Sequence, residues 1–118
     1  MKEGLVLFAH GSRDPEWAQP FERIAVALRA KLPAVAVGLA FLEYGPSLEE
    51  VVSALVAKGA GTIRVVPVFL GHGVHVKEDL PRLAAAAARA DVKIHLDQPI
   101  GEQPDIIEAI AAIIAAPR

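Results

Sequence analysis

The stretch GLVLFAHGSRDPEW, residues 4–17, joins an apolar run to a short polar segment and then to the start of a helix. The run over residues 4–9 is too short for a typical helix and is typical of a strand buried on both faces. The polar segment HGSR, residues 10–13, follows it directly. Asp14 then occupies an N-cap position, with Pro15 as the first helical residue. The stretch therefore predicts a strand, a turn and a helix, with polar side chains at the carboxyl end of the strand.

The same alternation of buried strands and amphipathic helices continues along the chain. Ser47 and Glu50 have capping-box spacing and mark the start of the second helix. The predicted strands cover residues 4–9, 35–42, 62–70 and 92–96, and the predicted helices cover residues 15–32, 47–58, 77–89 and 105–115. This alternation predicts one α/β domain, residues 1–118, with a parallel sheet in the flavodoxin-like strand order 2-1-3-4 and helices on both faces.

Two prolines fall inside predicted elements, and a loop lies between these elements. Pro67 removes a ladder hydrogen bond inside the third strand, so we expect a local irregularity there. The third helix tolerates Pro81 if that residue lies within its first turn. Residues 71–76, between these two elements, are predicted to form a loop that carries glycines and histidines.

The composition restricts the class of protein. With 53% hydrophobic and 22% charged residues, the 118-residue chain can bury a core, and disorder is excluded. The absence of cysteine excludes disulfides, thiolate metal sites and cysteine nucleophiles. A formal net charge of −2 provides no general basic surface for nucleic acid. No apolar run is long enough to span a bilayer, and residues 1–3 lead directly into a strand, so we expect a cytoplasmic protein without a membrane partner.

The last predicted helix is apolar around much of its circumference. Its isoleucines at positions 106, 107, 110, 113 and 114 cover more than one narrow stripe. A helix of this kind is usually buried on more than one side, which indicates a subunit interface and a homo-oligomer.

Three side chains of metal-binding type fall at the carboxyl ends of neighbouring predicted strands. Ligands of doubly wound sheets bind at that edge, where the strand order reverses, here between the first and third strands. His10 closes strand 1, Glu43 closes strand 2 and His75 follows strand 3 by a few residues. Taken singly, each is explained as a solvated strand end or a loop residue, but together they predict a site for Co²⁺, Ni²⁺, Fe²⁺ or Zn²⁺. His95, inside the fourth strand, is interpreted as structural.

Other functions that use similar short motifs do not fit. A histidine phosphatase would have arginine where Ala9 stands, and an α/β-hydrolase would need a G-x-S-x-G elbow. A receiver domain would have acidic residues after strand 1 and an aspartate after strand 3. The chain also has no P-loop and no G-x-G-x-x-G after a strand.

Three segments together resemble a known family: HGSRDP at 10–15, AFLEYGPSL at 40–48 and VVPVFLGHGVHVKEDLP at 65–81. In this order they are similar to the small CbiX-type class II chelatases, the sirohydrochlorin cobaltochelatase family, and the loop at 99–101 extends the likeness over nearly the whole chain. The resemblance implies a chelatase α/β fold and insertion of Co²⁺ into sirohydrochlorin, without ATP, in cobalamin biosynthesis. It also implies a homodimer with no permanently bound cofactor, the metal being a substrate.

The resemblance further implies roles for individual residues. His10 and His75 match the metal-binding histidines of the family, and Glu43 matches its acidic position as a ligand or a proton acceptor. Since neutral imidazole can hold an ion or accept a proton near pH 7, either histidine suits either role. We take His10, His75 and Glu43 as the expected catalytic set, and the two histidines as the expected metal ligands.

Further residues near the same edge are expected to bind the macrocycle. Arg13 and Lys77 can pair with its carboxylates, and Ser12 and the backbone N–H of Gly11 can add hydrogen bonds. The glycine-flanked loop that ends at Gly73 can allow a flat ring to approach closely.

Other functions remain open at this point. The closest are insertion of Fe²⁺ or Ni²⁺ into the same kind of macrocycle. A tetrapyrrole- or metal-binding carrier without insertion chemistry is a second alternative, and a flavodoxin-like interaction module with incidental histidines is a third.

Overall fold

The central sheet follows the predicted order. The structure, a computed structural model, describes residues 2–71 and 73–117, without the side chains of Val74 and His75. Strands β1 (Lys2–Ala9), β2 (Val35–Phe41), β3 (Ala60–Pro67) and β4 (Lys93–Leu96) pair in parallel in the order β2-β1-β3-β4. The predicted fold class and strand order are confirmed.

Helices follow each of the four strands. They are α1 (Gln19–Lys31), α2 (Leu48–Ala57), α3 (Val74–Ala87) and α4 (Pro104–Ala115), with short 3₁₀ turns at Pro15–Ala18 and Ile100–Glu102. Among the described residues, no helix is long and apolar enough to cross a membrane.

The core lies on both faces of the sheet because alternate residues of a strand point to opposite sides. Val6 and Phe8 of β1 are buried in the larger cluster, which includes residues of α2 and α3. Leu5 and Leu7 are buried in a smaller cluster that includes Ala25 of α1. The strand that precedes the polar segment is therefore buried on both faces, as its continuous apolar run predicts.

The start of the first helix is capped as predicted. The Asp14 carboxylate accepts a hydrogen bond from the backbone N–H of Glu16 at 3.0 Å, and Pro15 takes the first helical position. The capped segment is a 3₁₀ turn, and the α-helix itself begins at Gln19. At the second helix, Ser47 and Glu50 form the predicted reciprocal capping box.

Strand β3 ends at Pro67, which corrects the prediction of a strand to residue 70. The backbone N–H of Val68 donates to the Phe8 carbonyl at 2.8 Å. Because N–H groups alternate between the two sides of a strand, the position of Pro67 faces the β4 side. The last bond to the β4 side runs from the Asp97 N–H to the Val65 carbonyl at 2.9 Å, and Pro67 has no N–H to continue the ladder, so the strand ends there.

Helix α3 begins at Val74, earlier than the predicted Lys77, and this corrects two expectations. His75 lies in the first turn of the helix instead of in a loop. Pro81 lies in the helix interior, so its predicted place in the first turn is wrong. Proline there leaves the carbonyl of Lys77 without its usual N–H partner.

Helix α4 does not pack closely on the sheet. It has no buried residue, and its main contact is with the 3₁₀ turn Ile100–Glu102. Ile106 and Ile110 are partly covered, whereas Ile107, Ile113 and Ile114 are 54%, 60% and 76% exposed. The burial expected for this helix is therefore not provided by its own chain.

Candidate functional site

His10 and Glu43 meet at the carboxyl edge of the sheet. The pairing of β1 with β2 continues past the strand ends, since Leu42 N–H donates to the Ala9 carbonyl and Glu43 N–H to the His10 carbonyl, both at 2.9 Å. This places His10 Nδ1 3.9 Å from Glu43 Oε2. Backbone pairing thus brings together two side chains that are far apart in sequence.

Gly11 makes this close approach possible. Its φ of +95° lies in the region that favours glycine, and a Cβ there would collide with the carbonyl oxygen of Glu43. A larger residue would have to push the β2 end away from His10. The glycine after the histidine is therefore required by the geometry of the site.

The His10–Glu43 pair is accessible and weakly held. The two side chains are 49% and 57% exposed, and 3.9 Å is at the outer limit of an ion pair. An exposed pair of this kind contributes about 0–1 kcal/mol. Little energy is therefore lost when either group turns to a metal ion or accepts a proton.

An apolar crevice of about 540 Å³ opens beside His10. It lies between α1, the segment after β3 and the start of α4. Its walls include Trp17, Phe21, Leu70, Ile100, Ile106 and Ile110. The rings of Trp17 and Phe21 lie 4.7 Å apart between centroids. A polar edge with an apolar interior suits a ligand with a flat hydrophobic body.

Gly101, which no sequence pattern singled out as functional, helps to shape this crevice. Its N–H donates to the Phe69 carbonyl at 2.9 Å, and a Cβ on it would collide with the carbonyl of Leu70. The family resemblance of the loop at residues 99–101 was the one feature of the sequence that pointed to this glycine. Trp17 and Phe21 belong to the helix predicted over residues 15–32, but no sequence pattern states which neighbours they would face.

The predicted substrate-binding residues are placed near the same edge. The Ser12 hydroxyl accepts a hydrogen bond from Asp14 N–H at 3.1 Å, which leaves its own O–H free to donate. Arg13 and Lys77 are exposed. Gly73 is the N-cap of α3, and among the described residues other than its chain neighbours no atom lies within 4 Å of the position that a Cβ would take. Their roles toward a ligand stay predictions.

His75 is only partly located. Its backbone lies in the first turn of α3, but its side chain lies outside the described part of the chain, as does the whole of His72. Within the described residues no group of three or more His, Cys, Asp or Glu side chains is placed to share one ion. The structure brings together His10 and Glu43, and the ligand set with His75 stays a prediction.

A second polar cluster lies around Asp97. Arg64 donates to this carboxylate at 2.6 Å, and the hydrogen bond raises the pKa of Arg64. His95 Nε2 lies 3.5 Å from the other oxygen of Asp97. None of these three residues lines the crevice beside His10.

A family model named CbiX matches residues 4–116. The chain belongs to the CbiX family. This confirms the resemblance of the three sequence segments. A protein named sirohydrochlorin cobaltochelatase from Sulfolobus acidocaldarius is 36% identical over 109 residues, which is 91% of this chain and 85% of that protein. A protein of the same name from Saccharolobus islandicus is 43% identical over 81 residues, 68% of this chain and 62% of that protein.

Solved structures of CbiX-type proteins share the fold. A putative cobalamin biosynthesis CbiX protein from Marinobacter aquaeolei VT8 is 32% identical with a TM-score of 0.82, covering 95% of this chain and 93% of that one. The sirohydrochlorin chelatase SirB from Bacillus subtilis subspecies spizizenii, in complex with cobalt, is 31% identical with a TM-score of 0.78. That match covers 97% of this chain and 50% of the SirB chain, so the CbiX chain described here corresponds to half of SirB.

Proposed function

We propose that this chain inserts Co²⁺ into sirohydrochlorin, without ATP, in cobalamin biosynthesis. The observation that carries the proposal is the His10–Glu43 pair at the mouth of the apolar crevice, in a chain of the CbiX family. The relatives named sirohydrochlorin cobaltochelatase support the same reaction and macrocycle.

The chemistry requires proton acceptors as well as a metal ligand. Metallation replaces two pyrrole N–H protons by one divalent ion. A neutral His10 imidazole and the Glu43 carboxylate can each accept a proton or hold the ion. His10 Nδ1 and Glu43 Oε2 lie 3.9 Å apart. One of the two side chains can therefore bind the ion while the other accepts a pyrrole proton nearby. Their exposure lets protons pass on to water. His75 is proposed as the second metal-binding histidine.

The macrocycle is proposed to lie with its apolar body in the crevice and its carboxylates toward the polar edge. Trp17 and Phe21 offer apolar surface for the ring system. The exposed Arg13 and Lys77 are the basic groups proposed to pair with carboxylates, and the Ser12 O–H adds a hydrogen bond.

Co²⁺ acts here as a substrate, and no resident cofactor is invoked. Imidazole and carboxylate ligands also suit Fe²⁺ and Ni²⁺, so these ions are the competing substrates in the same site. We place the reaction in the cytoplasm and the active protein in a homodimer. The twofold length of the SirB chain and the exposed isoleucines of α4 support two copies working together.

The test is the absorbance change of sirohydrochlorin on addition of Co²⁺, with and without protein, and in parallel with Fe²⁺ and Ni²⁺. The wild-type protein is expected to accelerate insertion. His10→Ala and His75→Ala are each expected to lower the rate about 100-fold, the usual contribution of a proton-transfer group.

His95→Ala is the matched control because this histidine is exposed and lies against Asp97, outside the crevice. It is expected to retain the wild-type rate. A protein that binds sirohydrochlorin but does not accelerate insertion would be a carrier, and the proposal would be wrong. Equal rates for wild type and the His10, His75 double variant would show that the chemistry occurs elsewhere.

A further inference from the structure

Tyr44 is an aromatic residue that lies open to solvent beside the candidate site. It is 62% exposed. Among the described residues its side chain makes no ring contact and no hydrogen bond. The five other aromatic residues of the chain each contact another ring, in the pairs Phe8–Phe69, Trp17–Phe21 and Trp17–Phe41. The Tyr44 side chain therefore contributes little to the packing of its own chain.

The backbone of Tyr44 is also unusual. Its φ of 63° lies in the left-handed region, where a bulky side chain is an outlier. Backbone pairing fixes this turn on both sides. The Glu43 N–H donates to the His10 carbonyl at 2.9 Å, and the Phe41 N–H donates to the Pro46 carbonyl at 2.9 Å. Glycine would adopt the same turn without strain, so the tyrosine lowers stability without a described contact that offsets the loss. Strain of this kind is found mainly at functional sites.

The strand order places Tyr44 on the side of His10 that is opposite to the crevice. His10 follows β1, which lies between β2 and β3. The crevice opens on the β3 side, where residues 68–71 form part of its wall. Tyr44 lies in the segment after β2 and does not line the crevice. It directly follows Glu43, whose Oε2 is 3.9 Å from His10 Nδ1. A flat ligand centred on these two groups therefore has the crevice on one side and Tyr44 on the other.

We propose that Tyr44 binds the macrocycle on the side away from the crevice. Its ring packs on the flat body of the macrocycle, and its O–H donates a hydrogen bond to a peripheral carboxylate. A tyrosine side chain has few rotatable bonds, so it loses little conformational entropy when it is held by a ligand. The inference rests on the proposed function and adds a substrate contact to it.

Binding of sirohydrochlorin without metal tests this contact directly. Trp17 is the only tryptophan of the chain and lines the crevice, so quenching of its fluorescence is expected to report the Kd. Tyr44→Phe keeps the ring and is expected to bind at least about threefold more weakly, because it lacks the hydrogen bond. Tyr44→Asn loses the ring as well and is expected to bind at least about tenfold more weakly. Asparagine tolerates a positive φ, so the turn is kept.

Two control variants separate the contact from a structural role. Tyr44→Gly relieves the strain and is expected to be at least as stable as wild type in urea, yet to bind as weakly as Tyr44→Asn. Val26→Ala truncates a side chain of similar exposure, 63%, which lies on α1 and does not line the crevice. It is expected to keep the wild-type Kd. A wild-type Kd for both Tyr44→Asn and Tyr44→Gly would overturn the proposal, and a wild-type Kd for Tyr44→Phe would overturn the hydrogen bond.

The insertion assay distinguishes failure of this inference from failure of the proposed function. A wild-type protein that accelerates Co²⁺ insertion, with unchanged binding by Tyr44→Asn, would refute the contact and leave the function standing. A wild-type protein that binds the macrocycle, with weaker binding by Tyr44→Asn but no accelerated insertion, would refute the function and leave the contact standing. A wild-type protein that does not bind sirohydrochlorin would refute both.

Discussion

Replacing Gly11 by alanine should damage the site more than the fold. Gly11 has φ +95°, and its missing Cβ leaves room for the carbonyl oxygen of Glu43. Alanine must either force Glu43 back or leave this backbone conformation. Both changes separate His10 from Glu43, whose side chains now lie 3.9 Å apart.

The magnitude follows from two contributions. An L-residue in the left-handed region costs about 1–2 kcal/mol. Forcing an extra methyl group into a packed place costs about 1–3 kcal/mol more. The Gly11→Ala variant is therefore expected to lose about 2–5 kcal/mol of unfolding free energy.

Gly59 provides the control that separates these contributions. It has φ +99°, close to that of Gly11, but within the described part of the chain no atom beyond its neighbours in sequence lies within 4 Å of its missing Cβ. Gly59→Ala should therefore lose only the backbone contribution, about 1–2 kcal/mol. Because Gly59 follows α2 at the opposite edge of the sheet, its variant should keep the rate of metal insertion.

Urea denaturation of both variants measures the free energies, and the sirohydrochlorin absorbance assay measures the insertion rate under conditions where each is folded. We expect Gly11→Ala to be the less stable variant and at least tenfold slower than Gly59→Ala. If the two variants were equally stable and equally active, the contact between Gly11 and Glu43 would not position the site.

Three further substitutions test other parts of the molecule. Gly73→Ala places a Cβ that meets no atom among the described residues beyond its chain neighbours, so it should change stability by no more than about 1 kcal/mol. A raised KM for sirohydrochlorin would then show that the ring approaches there, and an unchanged KM would contradict that approach. Ser47→Ala removes the capping box with Glu50 and should lower the unfolding free energy in urea by about 1 kcal/mol. An unchanged unfolding free energy would contradict the role of the cap. Arg64→Met breaks a partly exposed ion pair with Asp97 and should lower the unfolding free energy in urea by at most about 1 kcal/mol, and by less in high salt. A loss of several kcal/mol would show that the pair is a major support of the fold.

Local patterns predicted most of the secondary structure because its causes are local. The continuous apolar run before His10 indicated a strand buried on both faces, and Asp14 and Ser47 marked helix starts through bonds to backbone groups nearby in sequence. The errors arose at boundaries. The start of α3 at Val74 puts Pro81 in the helix interior, and neither position has a cap or periodic signal that the sequence alone reveals.

The sequence predicted at which edge of the sheet the candidate site lies, but only part of how its residues are arranged there. His10 and Glu43 close neighbouring parallel strands, so the strand order alone brings their ends to one edge. The crevice was not predictable in this way. Its walls combine Trp17 from the first helical segment with Ile100 and Ile110 from the last part of the chain. Such a combination depends on how helices are oriented on the sheet.

The sequence by itself determined the parallel sheet, the order of its strands and the identity of the polar residues at its carboxyl edge, because these depend on residue pattern and chain connectivity. The tertiary structure decided two other things. It placed the Gly11 backbone against Glu43, which fixes the spacing of the His10–Glu43 pair. It also left most of α4 exposed. The isoleucine pattern of α4 predicts a helix covered on more than one side, but how much of it stays exposed depends on the packing of the rest of the chain.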